Sequence, residues 1–340
     1  MGIKNNIESF DNNQLLARYI LSFTVFISHS LYIYGKVEPS FYEGGHSLGW
    51  YAVNGFFFIS GVLIAHSFQR RNFIEYISAR VLRLFPAFIL SLVVSIIAVV
   101  IFDKVNINST FIISAAKFIF GNIVPIQEIK GGGISGIWSN GAAPGVLNTS
   151  LWTIPFEFFC YIFIVPLALS GKKYPFSRVL IGIVGIYFLS NLGVISGDGI
   201  IRYDFLRVFA YFLLGVGFYK CIFNKDGAIV IVLGLILILF FEGDFLEFGI
   251  SLSLVLLIAF FGFSKKNFIK KWSSFDLSYG MYVYAWPVSQ ITANMNNSIY
   301  IKLIVATGFL ILLSYFSFNY IEKPLLKKKK FFKEIKINGV

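Results

Sequence analysis

Apolar runs long enough to cross a lipid bilayer recur along the whole of this 340-residue chain. A helix needs about 20 consecutive apolar residues to span the hydrocarbon core, so such runs are typical of transmembrane helices. We therefore predict an all-α integral membrane protein, with about ten transmembrane helices in one bundle. The predicted spans cover residues 15–34, 47–67, 85–102, 151–169, 179–195, 205–222, 228–242, 246–263, 275–293 and 299–319.

The basic residues test this number of spans. With the N- and C-termini cytoplasmic, 22 of the 29 Lys and Arg residues fall on the inner side, as the positive-inside rule expects. An odd number of spans would place the Lys-rich tail, residues 322–340, outside. We therefore attribute the net charge of +12 to membrane orientation and expect no nucleic-acid partner. No internal repeat or second domain is visible, so residues 1–340 are predicted to form a single membrane domain.

Two polar residues share one stripe of the first predicted span. Arg18 and His29 are eleven residues apart, and eleven steps of about 100° return to within roughly 20° of the starting direction. At about 1.5 Å per residue they lie about 16 Å apart along the helix axis. Charged or titratable groups within a membrane span usually face a protein interior or a wet cavity. This stripe predicts a polar passage along the inside of the bundle.

Four arginines follow the second span in a predicted inner loop: Arg70, Arg71, Arg80 and Arg83. Arg80 and Arg83 are three residues apart, which places them on one helix face as a candidate anion clamp. Arginine binds phosphate in a bidentate manner, so we predict that this cluster binds an anionic substrate. The alternative interpretation is that these arginines are orientation signals only.

Two further polar residues, Asn54 and Glu157, are predicted at a depth similar to that of His29 in the outer half of the membrane. A histidine beside a carboxylate forms an acid–base pair in which the carboxylate orients the imidazole. The alternative for His29 is a structural hydrogen bond between helices. The predicted outer connection, residues 103–150, is interpreted either as a lid or acceptor-binding segment or as a flexible loop.

Six motifs in order resemble those of the acyltransferase-3 family of integral-membrane sugar and lipid acyltransferases. They are Arg18 with His29, the aromatic run Phe56–Phe58 leading to Ser60 and Gly61, Arg80 and Arg83 with Pro86, Trp152 with Glu157, Ser278 to Tyr282, and Tyr320 with Glu322 and Pro324. The resemblance covers nearly the whole chain. Asn54, Ser60, Trp152, Tyr279 and Tyr282 are the further residues predicted to line the substrate pocket.

The chain departs from the family pattern at two positions. Asn54 stands where many members have Asp, and Ala285 stands where many have His. The second departure excludes a mechanism that needs two intramembrane histidines. Some members also carry a fused extracytoplasmic esterase-like domain, which we do not expect here.

The resemblance implies O-acyl transfer, most often of acetyl, from cytoplasmic acyl-CoA to a carbohydrate hydroxyl on the outer side of a bacterial plasma membrane. O-antigen, capsule and exopolysaccharide, lipid-linked or free, are the acceptors considered. His29 and Glu157 are the predicted catalytic residues, and Arg18, Arg80 and Arg83 the donor-binding residues. His29 serves as general base or as transient acyl carrier. No metal is expected. The rival function is a transporter or flippase for a lipid-linked glycan, which ten spans with internal polar residues also fit.

Overall fold

The computed structural model of the chain describes residues 12–71, 73–123, 134–139, 141–169, 199–223, 235–236, 245–264, 268 and 275–327. These residues are predominantly helical, and their one pairing of extended backbone is an isolated antiparallel bridge between Ser40 and Ser47. The predicted spans 179–195 and 228–242, except for residues 235–236, lie outside the described residues. Residues 328–340 of the predicted cytoplasmic tail do so too.

The helices of the described residues are named in chain order. They are α1 Gln14–Ile33, α2 Leu48–Gln69, α3 Phe73–Phe102, α4 Ser109–Ile123, α5 Thr153–Leu169, α6 Gly199–Phe223, α7 Phe245–Gly262, α8 Ser278–Ala293, α9 Ile299–Ser317 and α10 Lys323–Lys327. A 3₁₀ turn leads into α5, and a π-helical turn joins α9 to α10.

Among the described residues, five helical segments are long and apolar enough to cross a membrane. They are Gln14–Ile33, Leu48–Phe68, Phe73–Phe102, Phe245–Gly262 and Ile299–Lys327. The last of these leaves large apolar side chains such as Ile304 and Leu312 exposed, which suits a surface in contact with lipid rather than water. The prediction of an all-helical membrane protein is confirmed to this extent. The number of ten spans and the cytoplasmic position of the termini stay predictions.

Helices α3 and α4 differ from the sequence prediction. Helix α3 begins at Phe73, so residues predicted as an inner loop, Arg80 and Arg83 among them, are helical. The segment contains no glycine, and its one proline, Pro86, lies inside the helix, where membrane helices tolerate it. The predicted outer connection contains helix α4, whose start is capped by the Asn108 side chain accepting from the Phe111 N–H at 2.8 Å.

The chain divides into two compact units that alternate along the sequence. Unit 1 consists of Met1–Ala17, Val53–Arg80 and Pro155–Lys270, and unit 2 consists of Arg18–Ala52, Val81–Ile154 and Lys271–Val340. Each unit holds polar residues that the sequence singles out.

In unit 1, helices α2 and α6 approach each other at two glycines. A Cβ atom on Gly61 would lie 2.1 Å from the carbonyl oxygen of Phe212, and one on Gly215 would lie 2.1 Å from that of Phe58. Small residues permit such close helix packing in membranes. The glycine of the Phe56–Gly61 motif is therefore required by the contact between these helices.

In unit 2, helix α8 is enclosed by other parts of the protein. All but two of its residues, Ile291 and Ala293, are buried, including the hydroxyl and amide side chains of Ser278, Ser289 and Gln290. A helix surrounded by protein rather than lipid can carry this many polar groups if they find partners. Helix α8 therefore supplies polar groups to the interior of unit 2.

Candidate active site

Helices α1 and α8 run parallel and in register along their whole length. Three hydrogen bonds between side chains join these helices or the residues next to their ends: Arg18 to Asp276 at 2.6 Å, Ser30 to Ser289 at 2.8 Å, and Tyr34 to Thr292 at 2.6 Å. The partners are 258 or 259 residues apart in every case. A constant separation is possible only if both helices run in the same direction with no relative shift. The stripe predicted on α1 therefore faces α8 and the segment that leads into it.

His29 lies near the carboxyl-terminal end of this α1–α8 pair. Its ring meets the ring of Trp286 edge-on, with centroids 5.1 Å apart and an angle of 75° between the planes. The Nδ1 atom of His29 is buried and has no hydrogen-bond partner among the described residues. Packing against Trp286 thus holds the imidazole, while Nδ1 keeps no hydrogen-bond partner among the described residues. At this nitrogen, the described residues show no hydrogen bond of the kind that the alternative interpretation of His29, a structural bond between helices, would need.

Arg18 lies at the other end of the pair, in a cluster of charges. One carboxylate oxygen of Asp276 accepts hydrogen bonds from both Arg18 and Arg83, each at 2.6 Å. Arg83 also lies 3.6 Å from the buried carboxylate of Glu322. Two positive and two negative groups therefore balance here. Sequence reasoning identified both arginines but missed Asp276, which pairs with each of them.

Asp276 lies in the segment before α8, outside the five candidate membrane spans. Burial raises the pKa of this carboxyl, but the charges of Arg18 and Arg83 lower it further than burial raises it, so its pKa lies below the ordinary value. The Ser278 hydroxyl donates a further hydrogen bond at 2.6 Å. Asp276 is therefore ionised at neutral pH and fixes both guanidinium groups in position.

The two tyrosines predicted on α8 are buried and hydrogen-bonded. The Tyr279 hydroxyl donates to the Leu84 carbonyl at 3.0 Å, and its ring lies below the Arg83 guanidinium. The Tyr282 hydroxyl lies 2.7 Å from that of Thr153. Trp152 is partly buried and ends the 3₁₀ turn Thr149–Trp152. These residues connect α8 to its neighbours in unit 2.

In unit 1, Arg71 and Arg80 converge on a single hydroxyl group. Both guanidinium groups donate to the Oγ atom of Ser67, at 3.1 Å and 3.3 Å. No carboxylate lies within ion-pair distance of either one in the described part of the chain, and the Nε atom of Arg80 is buried without a partner. Burial, and then the charge of Arg80, lower the pKa of the Arg71 guanidinium, while Glu75 opposes them. Two mutually repelling cations around one hydroxyl form a site suited to an anion.

The predicted clamp of Arg80 with Arg83 is thus resolved into two environments. Arg80 contacts Ser67 and lies over the rings of Tyr76 and Tyr161, whereas Arg83 is paired with carboxylates. Sequence reasoning ranked Arg71 below these two. The position of Arg71 directly after the second span could have indicated its role, because a residue there can contact the next helix where that helix re-enters the membrane.

Glu157 accepts hydrogen bonds within unit 1. Its Oε1 atom accepts from the Ser60 hydroxyl at 3.1 Å and also from the Tyr161 hydroxyl. Ser60, predicted as a pocket residue, therefore lies in direct contact with the predicted catalytic carboxylate. The predicted pair of Glu157 with His29 joins residues of two different units and stays a prediction.

Asn54 contacts an arginine that sequence reasoning missed. The fully buried Arg207 donates to the Asn54 side-chain oxygen and, at 2.8 Å, to Asp204. Arg207 is one of the seven Lys and Arg residues that do not fall on the predicted inner side. The sequence does offer a signal for this residue, because Arg207 follows Asp204 by three residues within a long apolar run. Residues at that spacing meet on one helix face and can pair. Asp204 therefore supplies the negative charge that balances Arg207.

Comparison with known proteins adds two findings. The sequence profile of a family described as "Acyltransferase domain" matches residues 11–321. A protein of Shigella phage Sf6 named "O-acetyl transferase" is 27% identical over 333 residues, which cover 92% of this chain and 95% of the phage protein. No solved structure matches the chain significantly.

The described residues contain no cluster of three or more His, Cys, Asp or Glu side chains able to hold a metal ion.

Proposed function

Because the chain belongs to the acyltransferase domain family, we propose that it transfers an acetyl group from acetyl-CoA to a carbohydrate hydroxyl at the surface of a bacterial cell membrane. The name of the phage relative supports both acetyl as the transferred group and oxygen as the acceptor atom. The observation that carries the proposal is His29, whose buried Nδ1 has no partner among the described residues. A neutral imidazole nitrogen of this kind can accept the proton of an attacking hydroxyl.

The proposed reaction needs one proton acceptor and one leaving group. The acceptor hydroxyl attacks the thioester carbonyl while His29 takes its proton, and a new C–O ester bond forms. The C–S bond of the thioester then breaks, and the imidazolium returns the proton to the departing thiolate to give free CoA. In the covalent alternative, the imidazole first takes the acetyl group from sulfur and then passes it to the hydroxyl.

We propose that the phosphates of the donor bind at Arg71, Arg80 and Ser67. These residues offer two guanidinium groups without carboxylate partners in the described residues, and charge-assisted bonds from Arg suit phosphate geometry. This assignment moves the predicted anion site away from Arg83, whose charge is balanced by Asp276 and Glu322. Arg18, which pairs with Asp276 in unit 2, stays a predicted donor-binding residue.

His29→Ala tests the chemistry. We expect transfer of radiolabelled acetyl from acetyl-CoA to glycan by the purified protein to fall at least about 100-fold, the lower range for loss of a general base. His46→Ala is the matched control, because His46 stacks on Trp50 in the segment between α1 and α2 and has no proposed role. Retained transfer in His29→Ala would contradict the mechanism. Labelled acetyl bound to wild-type protein without acceptor, and absent from His29→Ala, would select the covalent route.

Arg80→Gln and Arg71→Gln test the donor site. We expect each to raise the KM for acetyl-CoA about tenfold with a smaller change in kcat, since a hydrogen bond to a charged group contributes about 1.5–3 kcal/mol. Lys36→Gln, which removes an exposed positive charge just after α1, is the control for a general loss of charge. An unchanged KM for acetyl-CoA in both arginine variants would contradict this assignment.

A further inference from the structure

A cavity of about 150 Å³ lies at the carboxyl-terminal ends of α1, α3 and α8 in unit 2. Ile33, Asp103, Gln290 and Ala293 line it from these helix ends, and Trp138 lines it from the connection between α4 and the 3₁₀ turn. A cavity of this volume accommodates one six-membered ring. The cavity can therefore hold a single ring of a larger molecule.

The cavity carries polar groups that lack partners. Gln290 is buried; its amide nitrogen donates to the Val146 carbonyl at 2.7 Å, while its side-chain oxygen has no hydrogen-bond partner among the described residues. The indole N–H of Trp138 is buried and equally unpartnered in the described part of the chain. Asp103 accepts from the Trp138 backbone N–H at 2.7 Å. An unpartnered acceptor, an unpartnered donor and a carboxylate together suit a ligand that bears several hydroxyl groups.

The cavity is adjacent to His29. Ile33 follows His29 by four residues and Gln290 follows Trp286 by four, so each cavity residue lies one helical turn, about 6 Å, beyond its counterpart. Trp286, which contacts the His29 ring, packs against the cavity residues Ile33 and Ala143. A molecule seated in the cavity therefore lies within the span of one sugar unit from the proposed base.

The charge that lines the cavity distinguishes neutral from negatively charged sugar rings. Asp103 is its one charged side chain among the described residues that line it. The ammonium group of Lys302 donates to the Ala293 carbonyl at 2.6 Å and lies over the Tyr34 ring, so its charge is directed at these partners. A negatively charged ring would meet the Asp103 carboxylate without a counter-ion.

We propose that this cavity is an acceptor subsite that binds one neutral sugar ring, with hydroxyl groups donating to Asp103 and to the Gln290 side-chain oxygen. The identification of the ligand as part of the acceptor rests on the proposed function. The subsite selects neutral over acidic glycans and holds the acceptor one helical turn from His29.

A binding experiment tests the subsite without relying on catalysis. The purified full chain in detergent is titrated with methyl glucoside and with the methyl glycoside of glucuronic acid, and the tryptophan emission is followed. We expect the neutral ring to bind about tenfold more tightly, the discrimination given by one carboxylate about 6 Å from a like charge at intermediate dielectric. The emission change should be lost in Trp138→Phe. Equal or tighter binding of the acidic ring would overturn the proposal.

Two substitutions assign the effect to the cavity. Asp103→Asn should reduce the preference for the neutral ring to within about twofold, and Gln290→Met should weaken binding of the neutral ring about fivefold by removing one hydrogen-bond acceptor. Glu43→Gln is the matched control, since it removes an exposed carboxylate between α1 and α2 and should leave both affinities unchanged. An unchanged preference in Asp103→Asn would overturn the proposal.

The experiments distinguish a failure of the proposed function from a failure of the proposed subsite. If acetyl transfer to glycans is absent but binding of the neutral ring depends on Asp103 and Gln290, the subsite stands and the transferase assignment fails. If transfer occurs but neither variant alters the KM for the acceptor or its charge preference, the transferase assignment stands and the subsite fails.

Discussion

The contact between α2 and α6 allows a stability prediction with a worked magnitude. A Cβ atom added at Gly61 or Gly215 would lie 2.1 Å from a carbonyl oxygen, whereas ordinary contact begins at 3.4 Å. Because the obstructing atoms are backbone, Gly61→Ala or Gly215→Ala requires the two helices to separate by roughly 1.3 Å. Because a gap of about 0.5–1 Å already removes a quarter to a half of the dispersion energy of the atoms involved, a separation of roughly 1.3 Å removes about half of it or more.

The separation also affects ring contacts between the same two helices. Phe58 packs on Phe218 with ring centroids 5.6 Å apart, and His66 meets Tyr219 at 5.8 Å. Overpacking alone lowers the free energy of unfolding by about 1–3 kcal/mol. Because the ring contacts are weakened as well, we expect each single substitution to lower it by about 3 kcal/mol.

The double variant gives the sharper test. One separation of the helices relieves both clashes, so Gly61→Ala with Gly215→Ala should cost about 3–4 kcal/mol rather than the sum of the two single costs. Equilibrium unfolding of the detergent-solubilised protein by SDS measures all three variants. Gly249→Ala on α7 is the control, because a Cβ there meets nothing within 4 Å, and helix propensity predicts a gain of up to about 1 kcal/mol. Single variants that cost less than about 1 kcal/mol, or strictly additive costs, would refute the reasoning.

Three further outcomes are expected. Asp276→Asn should lower the free energy of unfolding by about 3 kcal/mol. Because folding lowers the pKa of Asp276, the contribution of its carboxylate to stability is complete above the unfolded pKa of about 3.9 and declines as the pH falls further. Unfolding titrations of the variant at different pH values should lack that decline. Asn54→Asp should place a carboxylate on Arg207 and stabilise by about 1 kcal/mol in the same assay; destabilisation would contradict the described contact. Cysteines at Ser30 and Ser289 should form a disulfide on oxidation, detected by mass spectrometry of the linked peptides after replacement of the native cysteines; absence of the link would contradict the parallel register.

The sequence predicts single helices well where hydropathy and polar boundaries agree. The first span was predicted at 15–34 and is observed at Gln14–Ile33, because the apolar run ends abruptly on both sides. The start of α3 was missed by twelve residues, since hydropathy rises only after the arginines although the backbone is already helical before them. Hydropathy measures compatibility with lipid, whereas helix formation also occurs in segments packed against protein.

The partners of polar residues were harder to predict from the sequence. Asp276 is 258 residues from Arg18 and 193 from Arg83, and no local pattern specifies a contact between residues so distant in the chain. The register of α1 against α8 is likewise a tertiary property. Glu322 was identified through a motif without a role, and the structure places its carboxylate 3.6 Å from Arg83. Residue types were therefore predictable, but their pairing depended on how the helices pack.

The parallel direction of α1 and α8 has an electrostatic consequence. Peptide dipoles add along a helix, leaving partial positive charge at its first turn and partial negative charge at its last. Because the two helices run the same way, both positive ends lie near Asp276, whose carboxylate they favour, and both negative ends lie beyond His29. An imidazolium formed at His29 during transfer would lie within one turn of two sets of terminal carbonyl groups. The backbone of this helix pair thus favours positive charge at the position where the proposed reaction creates it.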